Sequence, residues 1–263
     1  MDLGIAGRTA LVTGGDSGIG LATARLLLEE GVRVALTDLD EGALRAAAAT
    51  LPGEVLLVAA DLTRADDVER LRAQVLEGLG RVDVLVHAAG STGSTGDFAT
   101  IDDEGWRSTL DVDLLAAVRV VRAFIEDMKG RGWGRVVLIA SEDALNAYPD
   151  DLPYVAAKAA LLSLTKGLSK TYGRHGVLVN AVAPAFIETP MTDAMMDERA
   201  AAHGGTREDA IERFLREDRP GIALHRRGTV EEVASVIAFV VSERASFVNG
   251  SNYRVDAGSV GTI

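Results

Sequence analysis

The stretch "RTALVTGGDSGIGLATARLLLEEG", residues 8–31, contains the reading that decides the fold. Its first part, "RTALVT" (8–13), is a continuous apolar run with β-branched residues, the signature of a strand buried on both faces. From Gly18 to Gly31 the pattern is helical and closes on a glycine. Between them lies "TGGDSGIG" (13–20), a turn that passes directly from strand into helix. Gly14, Gly18 and Gly20 allow a tight turn, close approach of a pyrophosphate to the backbone, and close helix–strand packing. The start of the helix supplies unpaired N–H donors and the positive dipole end for phosphate oxygens. Three glycines are weak evidence alone; following the first strand of a βαβ unit is the context that strengthens them.

The same alternation continues outward. Strand-like runs at 32–37, 54–60, 82–87, 134–140 and 177–183 are separated by helical segments at 40–51, 65–79 and about 104–129, and by the helix around Tyr154. Continuously apolar strands linked by helices predict a parallel, doubly wound α/β sheet of the Rossmann type. No Pro/Gly-rich linker or repeat divides the 263 residues, so 1–263 reads as one domain. The exception is an insert at about 190–228, too long for a simple connection. Met191, Met195, Met196, Ile211, Phe214 and Leu215 recur there at helical spacing, which predicts two short helices packing on the body; an insert of this length is also a candidate substrate cover, a separate expectation.

Composition narrows the function. A net charge of −12 argues against a nucleic-acid partner, and the lack of cysteine excludes disulfides and thiolate chemistry. The residues offer no metal site. The N-terminus lacks the pattern of a signal peptide and no apolar run reaches the ~18 residues of a membrane span, so a cytoplasmic protein without membrane contact is expected.

The second strand ends at Asp38, 18 residues beyond Gly20. That is the spacing of a carboxylate that binds an adenosine ribose. Asp38 could instead cap the next helix, but Asp40 is better placed for that. A carboxylate there repels a 2′-phosphate, and neither Ser17 nor Leu39 supplies a compensating cation. The expectation is NAD in preference to NADP.

"LPYVAAKAALLSLTKG" (152–167) raises a different question, because Tyr154 and Lys158 share one face of an otherwise apolar helix. An ammonium at ~4 Å and an effective dielectric near 20 interacts with a phenolate by about 4 kcal/mol, roughly three pKa units. Pro153 suits the helix start and points the dipole the same way. The pair reads as an acid–base tyrosine tuned by lysine. Y-x-x-x-K alone is a common spacing that a core tyrosine and a snorkelling lysine also explain. Ser141, just past a strand end, gives it company where such sheets place their ligands.

Together "TGGDSGIG", Asp38, "DLT" (61–63), "HAAG" (87–90), Ser141, "YVAAK" (154–158) and "NAVAPAFIETPM" (180–191) resemble the short-chain dehydrogenase/reductase family over essentially the whole chain. The resemblance implies Tyr154 as catalytic acid/base, Lys158 as ribose ligand and tuner of the phenol, and Ser141 as the group orienting the substrate oxygen. It implies that Gly14 to Gly20, with Asp16, Ser17, Gly18 and Ile19, hold the pyrophosphate side. Asp38, Leu39, Asp61 and Leu62 would take the adenosine. His87, Ala88, Ala89, Gly90, Pro184, Ile187 and Thr189 would complete the cofactor site. It also implies a homotetramer or dimer. Three departures stand out: His87 where the family has asparagine, Ala185 after Pro184 in place of glycine, and Asp113, within "LDVDLL" (110–115), at the position of the family's catalytic asparagine. Asp113 would lie on the solvent side of the lysine, partly neutralise it and raise the tyrosine pKa.

The expected activity is NAD-dependent interconversion of a small secondary alcohol and a ketone, such as a 3-oxoacyl, sugar or polyol compound. Alternatives are a non-redox family member (epimerase or dehydratase) and a dinucleotide-binding sensor without turnover.

Overall fold

The computed structural model describes residues 2–262. Among them, seven strands form one parallel sheet: β1 (Thr9–Thr13), β2 (Arg33–Asp38), β3 (Val55–Ala59), β4 (Val84–His87), β5 (Gly134–Ile139), β6 (Val177–Pro184) and β7 (Asn252–Val255). Their order is β3-β2-β1-β4-β5-β6-β7. The chain winds outward from β1 in one direction and resumes at β4 in the other. The crevice at that reversal, beyond the carboxyl ends of the strands, is where such sheets bind ligands.

Side chains alternate between the two faces of each strand. Leu11, Leu85, Val136, Leu138 and Val179 pack with α3 (Ala65–Leu79), α5 (Ala116–Arg131) and α6 (Leu152–Tyr172). Ala10, Val12, Val84, Val86, Val137 and Val182 pack with α1 (Gly18–Glu29), α2 (Glu41–Ala48) and α9 (Val230–Val241). Both faces are covered, which is why these strands lack polar alternation in sequence. As expected, Asp40 caps α2, accepting from the Ala43 N–H at 2.8 Å.

The long helix predicted over 104–129 is interrupted. α4 (Asp103–Leu110) runs into a single π turn, Asp111–Leu115, before α5 begins. The extra residue shifts the helical phase and turns Asp113 inward, where it is fully buried. β7 and α9 add to the elements read from the pattern. β7 is short and only half-covered at the sheet edge, so it has no continuous apolar run.

The insert folds as α7 (Pro190–His203), α8 (Arg207–Arg213) and a π turn, Phe214–Asp218. Its apolar side forms a separate cluster: Met196, Ala200, Phe214, Leu215 and Ile222 around Phe186. Met191 stays exposed. Among the described residues, no helix is long and apolar enough to cross a membrane, and no cluster of His, Asp or Glu could hold a metal ion.

Candidate active site

The carboxyl ends of the central strands open into one cleft of about 340 Å³. Twenty of the sequence-predicted site residues line it: Gly14, Asp16, Ser17, Gly18, Ile19, Gly20, Asp38, Leu39, Asp61, Leu62, Ala88, Ala89, Gly90, Asp113, Ser141, Tyr154, Lys158, Pro184, Ile187 and Thr189. His87 does not. Its ring is 1% exposed beneath the cleft floor and bonds to Thr13, so no surface of it is offered to a ligand.

At the β1 end, Gly14 takes a positive φ of 66°, and a Cβ there would come within 2.8 Å of the Ala88 carbonyl carbon. A Cβ on Gly20 would collide with the Gly14 carbonyl oxygen. The turn therefore needs glycine at both places. Ser17 occupies the N-cap of α1 but makes no capping bond; its hydroxyl donates to Asp16 Oδ1 at 2.9 Å. The first-turn N–H groups of α1 are left for an external acceptor, which suits a pyrophosphate. A backbone bond from Gly15 N–H to Thr37 O, 3.2 Å, pins this loop to the end of β2. Asp38 accepts from the Leu39 N–H at 2.8 Å; burial, then the nearby Asp16 charge, pushes its carboxyl above the usual range. Among the described residues lining the cleft, Lys158 is the one cation, far along the chain from this end.

At the other end, Ser141 follows β5, and α6 carries Tyr154 and Lys158 on its cleft-facing side. The Lys158 ammonium lies 5.2 Å from the centre of the Tyr154 ring and donates to Ile139 O at 3.3 Å. It also meets Asp113 Oδ1 at 3.2 Å. Asp113 further accepts from Ser91, N–H to Oδ1 at 3.1 Å and Oγ to Oδ2 at 3.0 Å. It is not on the solvent side of Lys158 but buried against it.

The lysine was expected to lower the phenol; the balance runs the other way. Burial raises the Tyr154 pKa above its ordinary value, and the charges of Asp143, Asp113 and Asp151 raise it further, while a hydrogen bond with Ser141 opposes them. A phenol held protonated beside a hydroxyl is a proton donor suited to a carbonyl oxygen.

Sequence reading missed the acidic wall beyond Tyr154. Burial pushes Asp143 up to about 6 and Asp151 up to about 7, and it raises Glu142 as well. Arg219, from the insert, stacks 3.2 Å from the Tyr148 ring centre and lies 3.9 Å from Glu142. Asp151 could have been found, since it precedes Tyr154 by one helical turn. Asp143 and Arg219 could not, because only the fold brings the insert onto the loop after β5.

Comparison with known proteins supports this geometry. The family described as Enoyl-(Acyl carrier protein) reductase matches residues 14–259. "Uncharacterized oxidoreductase YvrD" of Bacillus subtilis (strain 168) is 33% identical, with 100% of each chain covered. D-beta-hydroxybutyrate dehydrogenase of Rhizobium meliloti (strain 1021) is 32% identical over 95% of this chain and 98% of its own. The L-sorbose reductase of Gluconobacter frateurii, solved with NADPH and L-sorbose, superposes with a TM-score of 0.93, at 32% identity and full coverage of both chains. Likeness of this extent covers both the glycine loop and the Tyr154 helix, and with them the whole sheet. This chain belongs to the short-chain dehydrogenase/reductase family and is a carbonyl/alcohol oxidoreductase.

Proposed function

We propose that the protein interconverts a small secondary alcohol and a ketone, using NAD in preference to NADP. The observation that carries this reading is that Tyr154 and Ser141 open onto the same cleft as the glycine loop and Asp38. Ser141 holds the substrate oxygen and Tyr154 exchanges a proton with it. Lys158 and the Thr189 end of α7 embrace the nicotinamide half, while the α1 N-terminus takes the pyrophosphate. When bound, the nicotinamide supplies or accepts the hydride at the substrate carbon.

Support for NAD is electrostatic. Asp16, Asp38 and Asp61 line the adenosine end, and among the described residues no cation lines it to receive a 2′-phosphate. Support for substrate cover comes from Met191 and Thr192 of the insert, which line the cleft beside Thr189. Assembly as a homotetramer belongs to this reading too, and light scattering on the purified protein tests it.

Absorbance of the reduced nicotinamide, followed with a panel of secondary alcohols and ketones, tests the activity. Wild-type protein should turn over at least one of them. Tyr154→Phe should abolish turnover while cofactor affinity stays within a few-fold. Full turnover by that variant would overturn the assignment.

A further inference from the structure

Lys158 has two neighbours that matter for proton transfer, and only one of them is the tyrosine. Its ammonium is 3.2 Å from a carboxylate oxygen of Asp113 and 5.2 Å from the Tyr154 ring centre. Both members of the ion pair are almost completely buried, so water screens the contact little. Asp113 is also held on three counts. The π turn aims it inward, two Ser91 donors occupy its oxygens, and Gly90 leaves room where a Cβ would come within 2.8 Å of Oδ1 and 3.2 Å of Lys158 Nζ. An asparagine at this position would leave the ammonium's charge free to act on the phenol. An aspartate cancels it.

The other groups around the phenol do not restore the balance. Asp151 faces it from the start of α6 and Asp143 from the segment after β5. Ser141 offers a neutral hydroxyl. His87, beneath Lys158 at the end of β4, is held neutral by burial and by the lysine's own charge. Arg219 lies further out, against Glu142 and the Tyr148 ring. A phenolate at Tyr154 would thus face three carboxylates, with its one nearby ammonium already paired.

We infer that Asp113 is a positioning residue that sets the pH dependence of proton transfer: by pairing with Lys158 it keeps Tyr154 as a protonated donor to the carbonyl oxygen, and alcohol oxidation sets in only at alkaline pH. This rests on the reading of Tyr154 as the acid/base. In the reducing direction a bound reduced nicotinamide would supply the hydride for the new C–H bond, and the carbonyl π pair would move onto oxygen. That oxygen takes the Tyr154 proton, and the phenolate left behind is reprotonated from solvent. In the oxidising direction the phenol must first lose its proton, against the surrounding negative charge.

Two measurements test the inference. The first is an ultraviolet titration of tyrosinate in the ligand-free protein, with Tyr154 isolated by subtracting Tyr154→Phe. In Asp113→Asn, Tyr154 should ionise at a pH lower by about one unit, a tenfold gain in phenolate at a given pH. The second is the pH profile of kcat/KM for alcohol oxidation, whose rising limb should move to acid by a similar amount. Should Asp113→Asn fail to fold by circular dichroism, Asp113→Ser makes the same neutral change with a smaller side chain. Unshifted titration and profile in a folded variant would overturn the role of Asp113. If Tyr154→Phe were itself fully active, the underlying reading would fail instead, so the two failures are distinguishable.

Discussion

Thr13 Oγ1 lies 3.0 Å from His87 Nδ1, and the same oxygen accepts from the backbone N–H groups of Ala88 at 3.2 Å and Ala89 at 3.1 Å. A hydroxyl oxygen accepts two bonds, so its own proton goes to Nδ1. The imidazole therefore carries its proton on Nε2, which is buried without a partner among the described residues. One threonine at the end of β1 thus anchors the "HAAG" segment that brings Gly90 against Asp113 and Lys158.

His87 should make the fold acid-sensitive. Burial, then the Lys158 charge, pushes its pKa down to about 3. An unfolded histidine titrates near ~6.5, so between these values the unfolded chain binds the extra proton. The stabilising contribution is present above the unfolded value and is lost as pH falls toward the folded one, by about 1.4 kcal/mol per unit. Urea midpoints taken at about pH 7 and about pH 5 should fall accordingly, and His87→Asn should flatten the difference. An equal acid loss in that variant would remove His87 as the cause.

Thr13→Val should leave one ring nitrogen and two backbone N–H groups without their partner. Losing such buried bonds costs about 1–3 kcal/mol. Denaturant unfolding should show that loss, while Thr13→Ser should retain most of the stability. A neutral Thr13→Val would mean that the segment is held by packing alone.

Asp38 should control cofactor choice. Calorimetric titration should find NAD bound about 100-fold more tightly than NADP, since a phosphate facing this carboxylate costs a few kcal/mol. Asp38→Ala should narrow that ratio to within about tenfold. Equal affinities in the unmodified protein would sink the NAD assignment.

The insert should respond to ligand. Its apolar cluster is small, and salt links tie it down: Arg227 to Asp193 at 2.6 Å and to Glu188 at 3.3 Å, and Arg207 to Asp193 at 3.0 Å. Hydrogen exchange over 190–228 should be faster than in the sheet and should slow when cofactor and substrate are added. Arg227→Met should speed exchange in α7 while leaving β1 and β4 unchanged. Unvarying protection would leave this segment as packing only.

The sheet and its connections were legible because their causes are local. Strands buried on both faces read as apolar runs, helices read by their period, and the turn at 13–20 needs glycine for steric reasons that hold anywhere. Asp40 as a cap, Pro153 near the start of α6 and the Tyr154–Lys158 spacing are one-turn relations, which sequence distance measures directly. Gly14, Gly18, Gly20, Asp38, Ser141, Tyr154 and Lys158 could be named from such local relations, whereas Asp61, Leu62, Asp113, Ile187, Thr189 and the 88–90 segment were legible only through the family resemblance. What the tertiary structure alone decided is the charge state of the chemistry. Asp113 turns inward only because a π turn breaks α4 from α5, and it meets Lys158 only because α6 packs across it. Asp143 reaches the phenol from a different loop, and Arg219 approaches from a segment far later in the chain. His87 lies under the floor rather than in the wall because Thr13 holds it there. Coulomb energies depend on distance through space and on the water excluded between groups, and neither is encoded by separation along the chain.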